Sequence, residues 1–200
     1  MSRLIETIKV KNGKVYNLDY HSARFNRSRK EIFNTGPSID LANKITVPEY
    51  ALQGLFKCRI EYDEQIRNID FLRYNPRRVR TLRLVEADHI DYSYKYLDRS
   101  AIEELVKQNN ECDDILMIKD GMITDTSYAN IIVRGDDKIW YTPSGYMLRG
   151  TKRELLLNEG LIREKDISPA SLKRYRELRL INSMLDIDDS PSVAVRTICF

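Results

Sequence analysis

The sequence predicts an α+β protein in two domains, on three observations. Short runs that alternate apolar and polar residues outnumber the helical segments. The two kinds of segment do not follow the regular βαβ order of a Rossmann sheet, and the stretch from Glu86 to Ser93 is polar and without period. The 200 residues suit one large or two small domains, and 42% hydrophobic residues supply a core. The polar stretch divides the chain into a small α+β domain over 1–88, a linker over 89–93 and a second α+β domain over 94–200.

The elements follow in order. Leu4, Ile8 and Val10 alternate with polar residues up to Asn12-Gly13, a pair that accepts the positive φ of a two-residue hairpin turn, and Val15-Tyr16 resume the strand. Asp19 is placed to cap a helix carrying Tyr20, Ala23, Phe25, Ile32 and Phe33, which Thr35-Gly36-Pro37 ends. A short helix is expected over 47–55, with Pro48 in its first turn. Three alternating runs, 56–62, 66–74 and 78–85, predict an antiparallel meander. A helix from Asp98 or Ser100 to Gln108 precedes short strands at 115–119, 122–124, 129–134 and 138–141, the first two joined by Asp120-Gly121. A helix over 150–158 closes at Gly160, and a short helix near Pro169 with two or three strands completes the chain.

Composition excludes several functions. The formal charge is +3 from 33 basic and 30 acidic residues, too diffuse an excess to favour nucleic acid or an anionic membrane. Three widely spaced cysteines, Cys58, Cys112 and Cys199, make no disulfide framework or zinc knuckle, which suits a reducing cytosol. Only His21 and His89 are present, too few for a multi-histidine metal site, and the start reads as neither a signal peptide nor a membrane span. Twelve tyrosines against five phenylalanines place many rings where one end stays wet.

Four segments carry candidate chemistry when taken together. They are Ile5-Glu6-Thr7-Ile8 with Asn12-Gly13-Lys14 and His21-x-x-Arg24; Tyr94-Lys95-Tyr96-Leu97-Asp98-Arg99; Asp120 to Ile131, including Asp125-Thr126-Ser127-Tyr128-Ala129-Asn130; and Tyr141-Thr142-Pro143 with Leu148-Arg149-Gly150-Thr151-Lys152-Arg153. Free amides where a glycine opens a helix suit a phosphate. In this order the segments resemble the fold-type IV pyridoxal-phosphate (PLP) enzymes, the class IV aminotransferase family. The likeness runs from Leu4 to about Val195 and is nearest to aminodeoxychorismate lyase, through Lys95-x-Leu97-x-Arg99, Ala129-Asn130 and Leu180-Ile181-Asn182-Ser183-Met184.

The resemblance implies a D-amino-acid aminotransferase-like fold with a trimmed N-terminal domain and a PLP-binding domain over 94–200. It implies Lys95 as the Schiff-base and proton-transfer lysine, Asp125 (usually Glu in the family) facing the pyridine nitrogen, and Arg24 on the phosphate. Thr151 and Lys152, where the family often has Ile-Thr, would add helix amides, and Arg99 and Tyr128 would meet substrate. His21 is expected to be structural and bonded to backbone. The resemblance further implies a small-molecule substrate, a cytoplasmic homodimer with active sites in the cleft between domains, and the aminodeoxychorismate lyase reaction of folate biosynthesis. A class IV aminotransferase acting on branched-chain or D-amino acids is the alternative within the family. Outside it stands a non-catalytic binding module using the basic strand Arg73 to Arg83, where Arg78 and Arg80 would share one face.

Overall fold

A computed structural model describes residues 3–200. These form two compact units, one of residues 3–76 with 94–98, the other of 77–93 with 99–200.

The first unit is a four-stranded antiparallel sheet in the order β2-β1-β3-β4, with β1 Leu4–Lys11, β2 Lys14–Val15, β3 Leu55–Tyr62 and β4 Ile66–Arg73. The hairpin turn at Asn12-Gly13 takes φ of 50° and 77°, the conformation that those two residues tolerate best. Strict alternation along β3 buries Phe56, Cys58, Ile60 and Tyr62. These meet Leu4, Ile8 and Val10 of β1 and Phe25 of α1 (Leu18–Phe33) in one core, with the Phe25 and Tyr62 rings 4.4 Å apart. Residues 94–98 return to this unit and extend the edge of β1 at its start. Ile5 donates its amide to the Lys95 carbonyl at 2.9 Å, Leu97 donates to Arg3 at 2.8 Å, and Leu4 bridges Tyr96.

The second unit holds two sheets. One has the order β13-β5-β6-β7, with β5 Leu82–Glu86, β6 Asp114–Lys119, β7 Met122–Thr126 and β13 Ile198–Cys199. The other has the order β10-β9-β8-β11-β12, with β8 Asn130–Arg134, β9 Trp140–Pro143, β10 Arg163–Lys165, β11 Glu177–Ile181 and β12 Ser192–Ala194. Leu82, Leu116, Ile118 and Ile123 of the first sheet share a core with Ile131, Val133, Leu178 and Leu180 of the second. The alternate residues Ile132 and Ile181 face the other way, onto Leu156 of α3 (Thr151–Asn158). Helices α2 (Ser100–Gln108) and α4 (Pro169–Leu172) complete the unit. Only three residues separate β7 from β8, so the chain crosses from one sheet to the other between Thr126 and Asn130.

Several expectations change. The third meander strand leaves the first sheet: β5 lies parallel between β13 and β6, pairing Leu82 with Asp114. The division of the chain therefore falls after Pro76 rather than at Asp88, and 94–98 belongs with the N-terminal residues. For the same reason the basic stretch is no single strand. Arg73 ends β4, Arg78 and Arg80 lie in irregular chain, and Arg83 sits in β5, so their presumed common face is absent. Asp113 replaces a ladder there, its carboxylate accepting the amides of Arg80 and Thr81 at 2.7 and 3.0 Å. The helix expected at 47–55 shrinks to one 3-10 turn, Glu49–Ala51, because Gly54 turns the chain at φ 94° and Leu55 begins β3. Asn17 rather than Asp19 caps α1, in a left-handed conformation at φ 54°. Regular βαβ order is missing overall, yet β5-α2-β6 and β9-α3-β10 each join parallel neighbours. Among the described residues no helix is long and apolar enough to cross a membrane.

Candidate active site

In the first unit, β1 carries Glu6 beneath α1, and the three-residue spacing of His21 and Arg24 sets both on the helix face above it. All three side chains are buried. Arg24 grips the carboxylate with two nitrogens, Nε to Oε1 at 2.8 Å and Nη2 to Oε2 at 2.6 Å, and His21 Nδ1 lies 2.6 Å from Oε2. Burial alone would raise the Glu6 pKa. The charge and hydrogen bonds of Arg24, with those of His21, outweigh it and hold the carboxyl at about 2. Burial also pushes His21 below the usual histidine value, against the opposite pull of Glu6. A neutral His21 facing an ionised carboxylate must carry its proton on Nδ1. The ring is thus bonded to Glu6 through Nδ1. Lys95, half-buried, is held beside Glu6 through the bond from the Ile5 amide, and its charge contributes to the lowering of His21.

In the second unit, the crossing from β7 to β8 brings Asp125 against Asn130. Asp125 Oδ1 accepts from Asn130 Nδ2 at 2.8 Å, and Oδ2 accepts from the Met147 and Leu148 amides at 3.1 and 2.9 Å. Asn130 also donates to the Leu148 carbonyl at 3.0 Å, which fixes its amide orientation. All three donors to Asp125 are neutral. Desolvation therefore prevails over them, and the carboxyl rises to about 6, with the charge of Arg153 lowering it less than any of those bonds.

Asn130 Oδ1 points at Gly150, where a Cβ would stand 1.9 Å from it. Gly150 has an ordinary φ of −74°, so the glycine is needed for space. It precedes α3 and offers no side-chain cap to the first amides. Thr151, Lys152 and Arg153, the first helical residues, are all buried. The Lys152 ammonium pairs with Asp186, while Arg153 Nη2 donates to the Pro143 carbonyl at 2.8 Å and to Glu164 at 2.7 Å.

Residues 66–188 match the family described as amino-transferase class IV. This chain belongs to that family. An uncharacterized protein of Haemophilus influenzae is 38% identical over 186 residues, covering 92% of this chain and 98% of its own. The crystal structure of a "putative 4-amino-4-deoxychorismate lyase" from Haemophilus somnus is 36% identical, with a TM-score of 0.85 over 92% of this chain and 97% of that one. A Mycobacterium tuberculosis "hypothetical aminotransferase", in its PLP-bound form, shares the fold at 18% identity and a TM-score of 0.76, over 98% of this chain and 81% of that one. The α+β, fold-type IV architecture and the enzymatic class expected from the sequence are thereby borne out, in a chain shorter than the mycobacterial one.

The class IV family is built on a PLP-dependent fold, and the residues present suit that cofactor. Asp125 is a buried carboxyl held by neutral donors, so its charge calls for a cation such as a pyridinium. Gly150 keeps side-chain bulk away from the start of a helix whose first amides suit a phosphate. Arg24 is a guanidinium already oriented by Glu6.

Of the other two positions named from the sequence, Tyr128 lies on the crossing that follows Asp125 and Arg99 bonds to it. Arg99, just before α2, donates through Nη2 to the Ser127 carbonyl, and its Nε is buried with no hydrogen-bond partner among the described residues. Tyr128 is partly buried, with the Arg77 guanidinium 5.1 Å from its ring centroid and Asn182 Nδ2 donating to its carbonyl at 3.4 Å. Glu6 and Asn130 were present in the sequence motifs without a role. Their partners lie up to 18 residues away, and no local pattern announces them. Arg77 was visible only as part of a basic run.

Proposed function

We propose that this class IV enzyme is a PLP-dependent lyase that converts 4-amino-4-deoxychorismate to p-aminobenzoate and pyruvate. The observation that carries the reading is the 36% identity to the Haemophilus somnus protein over 97% of that protein's length. The buried, unpartnered Nε of Arg99 supports it, since a substrate with two carboxylates needs a cation with a donor to spare.

When bound, PLP supplies an electron sink that labilises a proton near the substrate amine. Lys95 Nζ would hold the cofactor covalently in the resting enzyme and, once freed as the amine when the substrate takes its place, would accept the ring proton and later return it to the departing enolpyruvate. Loss of that proton lets the ether C–O bond break, and enolpyruvate leaves as the ring becomes aromatic. Asp125 would face the pyridine nitrogen and keep it protonated, while Asn130 and the amides of Met147 and Leu148 keep Asp125 in place. Glu6 holds Nε and Nη2 of Arg24 and so fixes the plane of a guanidinium that would serve the cofactor phosphate. The Thr151 and Lys152 amides at the start of α3 would also suit a phosphate. Arg99 and Tyr128 orient the substrate. The functional form is a cytoplasmic homodimer, which light scattering of the purified protein tests as far as assembly is concerned.

The deciding experiment uses protein reconstituted with PLP. We expect a visible absorption band that borohydride bleaches and Lys95→Ala abolishes, with pyruvate released from aminodeoxychorismate. A colourless wild-type protein in excess PLP would overturn the cofactor assignment. A coloured protein that moves amino groups from glutamate or branched-chain amino acids to 2-oxo acids, without releasing pyruvate, would make it an aminotransferase.

A further inference from the structure

Cys112 and Cys199 lie 87 residues apart in sequence, yet their Sγ atoms are 3.5 Å from one another. Both are free thiols and partly exposed. Their approach follows from the sheet. The last strand, β13, runs parallel to β5 with Cys199 beside Arg83, and the other edge of β5 pairs Leu82 with Asp114. The residues that lead into β6 and those that end β13 therefore meet at the same end of the sheet.

Both backbones are anchored to the same short segment. Asp113, next to Cys112, accepts the Arg80 and Thr81 amides and the Thr81 hydroxyl, and donates its own amide to Thr81 Oγ1 at 3.0 Å. Thr197, two residues before Cys199, donates its hydroxyl to the Arg80 carbonyl at 3.1 Å. Arg80 and Thr81 thus hold the two cysteine-bearing segments in register. A disulfide needs its sulfurs at about 2.05 Å, a closure of roughly 1.5 Å that rotation about the side-chain bonds can supply.

We propose that Cys112 and Cys199 form a redox-active pair that closes reversibly to an intramolecular disulfide and fastens β13 to the turn before β6. Hydrogen peroxide oxidises one thiolate to the sulfenic acid and is itself reduced to water. The second thiol then attacks that sulfur, the S–O bond breaks, a second water leaves, and the S–S bond forms. A dithiol reductant restores both thiols by exchange. The closed loop contains β6 to β12 and α3, and with them Asp125, Asn130 and Gly150. The bond would accordingly tie together the unit 2 portion of the candidate site and raise its resistance to unfolding.

Cys58 is the internal control. It is wholly buried in the first unit, and burial pushes its thiol up to about 12, so it should stay reduced. Burial and the neighbouring Cys199 also raise Cys112, so closure should be faster at pH 9 than at pH 7.

The test treats the full chain with hydrogen peroxide, then denatures it and alkylates the remaining thiols. We expect alkylated cysteines to fall from three to one, a loss of two hydrogens in the intact mass, and a proteolytic fragment joining Cys112 to Cys199. The unfolding midpoint should rise by about 5 °C or more and return with dithiothreitol. Cys199→Ser should show neither the joined fragment nor the rise. Three alkylated thiols, oxygen addition without linkage, or a disulfide that uses Cys58 or a second chain would overturn the proposal. If Cys199→Ser fails to fold, the wild-type fragment map decides alone.

Discussion

Glu6 in the first unit and Asp125 in the second are both buried carboxyls, and the protein treats them in opposite ways. Glu6 is matched by a guanidinium and an imidazole and is held at about 2; Asp125 is matched by neutral amides and is raised to about 6. A carboxylate with its countercharge in place is complete within the fold. One held by neutral hydrogen bonds, with the Arg153 charge the weakest of its supports, is oriented for a charge that has yet to arrive. The contrast separates a device that positions Arg24 from one that would receive a cationic ring nitrogen, a distinction that residue identity alone does not make.

The largest expected effect breaks the first half of the comparison. Glu6→Gln keeps the shape but strands the buried Arg24 charge, and should lower the unfolding free energy by about 3–5 kcal/mol. Urea titration of the apo protein measures it. Asp125→Asn should cost far less at pH 8, since it removes a charge that the apo fold pays to bury. Equal losses for the two variants would refute the contrast.

The pH dependence comes next. The folded-state pKa of Asp125 is raised from 3.8 to about 6, so its contribution is fully present below pH 3.8 and is lost as the pH rises through about 6. The size of that loss is on the order of 3 kcal/mol. Glu6 runs the other way. Its contribution is present above pH 4.5 and disappears as the pH falls through about 2. His21 is lowered from 6.5, so its share is also lost on acidification. The difference between wild-type and Asp125→Asn stability cancels Glu6 and His21. We expect that difference to move against the wild type between pH 4 and pH 7 in the apo protein, and to shrink when PLP is bound.

Such a split between units was only partly legible in the sequence. Asn12-Gly13 and Asp120-Gly121 announced their hairpins because a two-residue turn with positive φ is a local demand. Leu82 and Leu84 alternate with arginine and valine in the same way whether β5 pairs antiparallel with β4 or parallel with β6, so its sheet could not be read locally. The same holds for the site. Lys95, Arg24 and Asp125 stood out through motif order, whereas the partners that give Glu6 and Asp125 opposite ionisation come from other elements, β1 to α1 and β7 to the 147–148 loop. The nearness of Cys112 and Cys199 follows from β13 joining β5, which is likewise a property of topology.

Gly150→Ala sharpens the second half of the comparison. Its backbone is compatible with alanine, so any effect is steric, and the new Cβ would overlap Asn130 Oδ1. Moving Asn130 removes one of three donors from Asp125. We expect a loss of about 1–3 kcal/mol by urea unfolding. The pH at which the Asp125 contribution disappears should also shift upward, because desolvation then meets weaker opposition. An unchanged titration would mean that Asn130 does not set the ionisation of Asp125.

The smallest effect concerns Lys152, which is charged and stands where a phosphate would be received. Its side chain is 7% exposed and its ammonium is paired with Asp186, whose side chain is 45% exposed. A pair open to water on one side contributes about 1 kcal/mol or less, and methionine can fill the space of the buried stem. Lys152→Met should therefore lower stability by no more than about 1 kcal/mol and leave PLP affinity within about twofold, the backbone amide being retained. If affinity falls by about tenfold, the ammonium reads the phosphate and Asp186 yields it on binding. Lys152 would then join Asp125 as a group with a charge still to be matched, instead of Glu6 as one already satisfied.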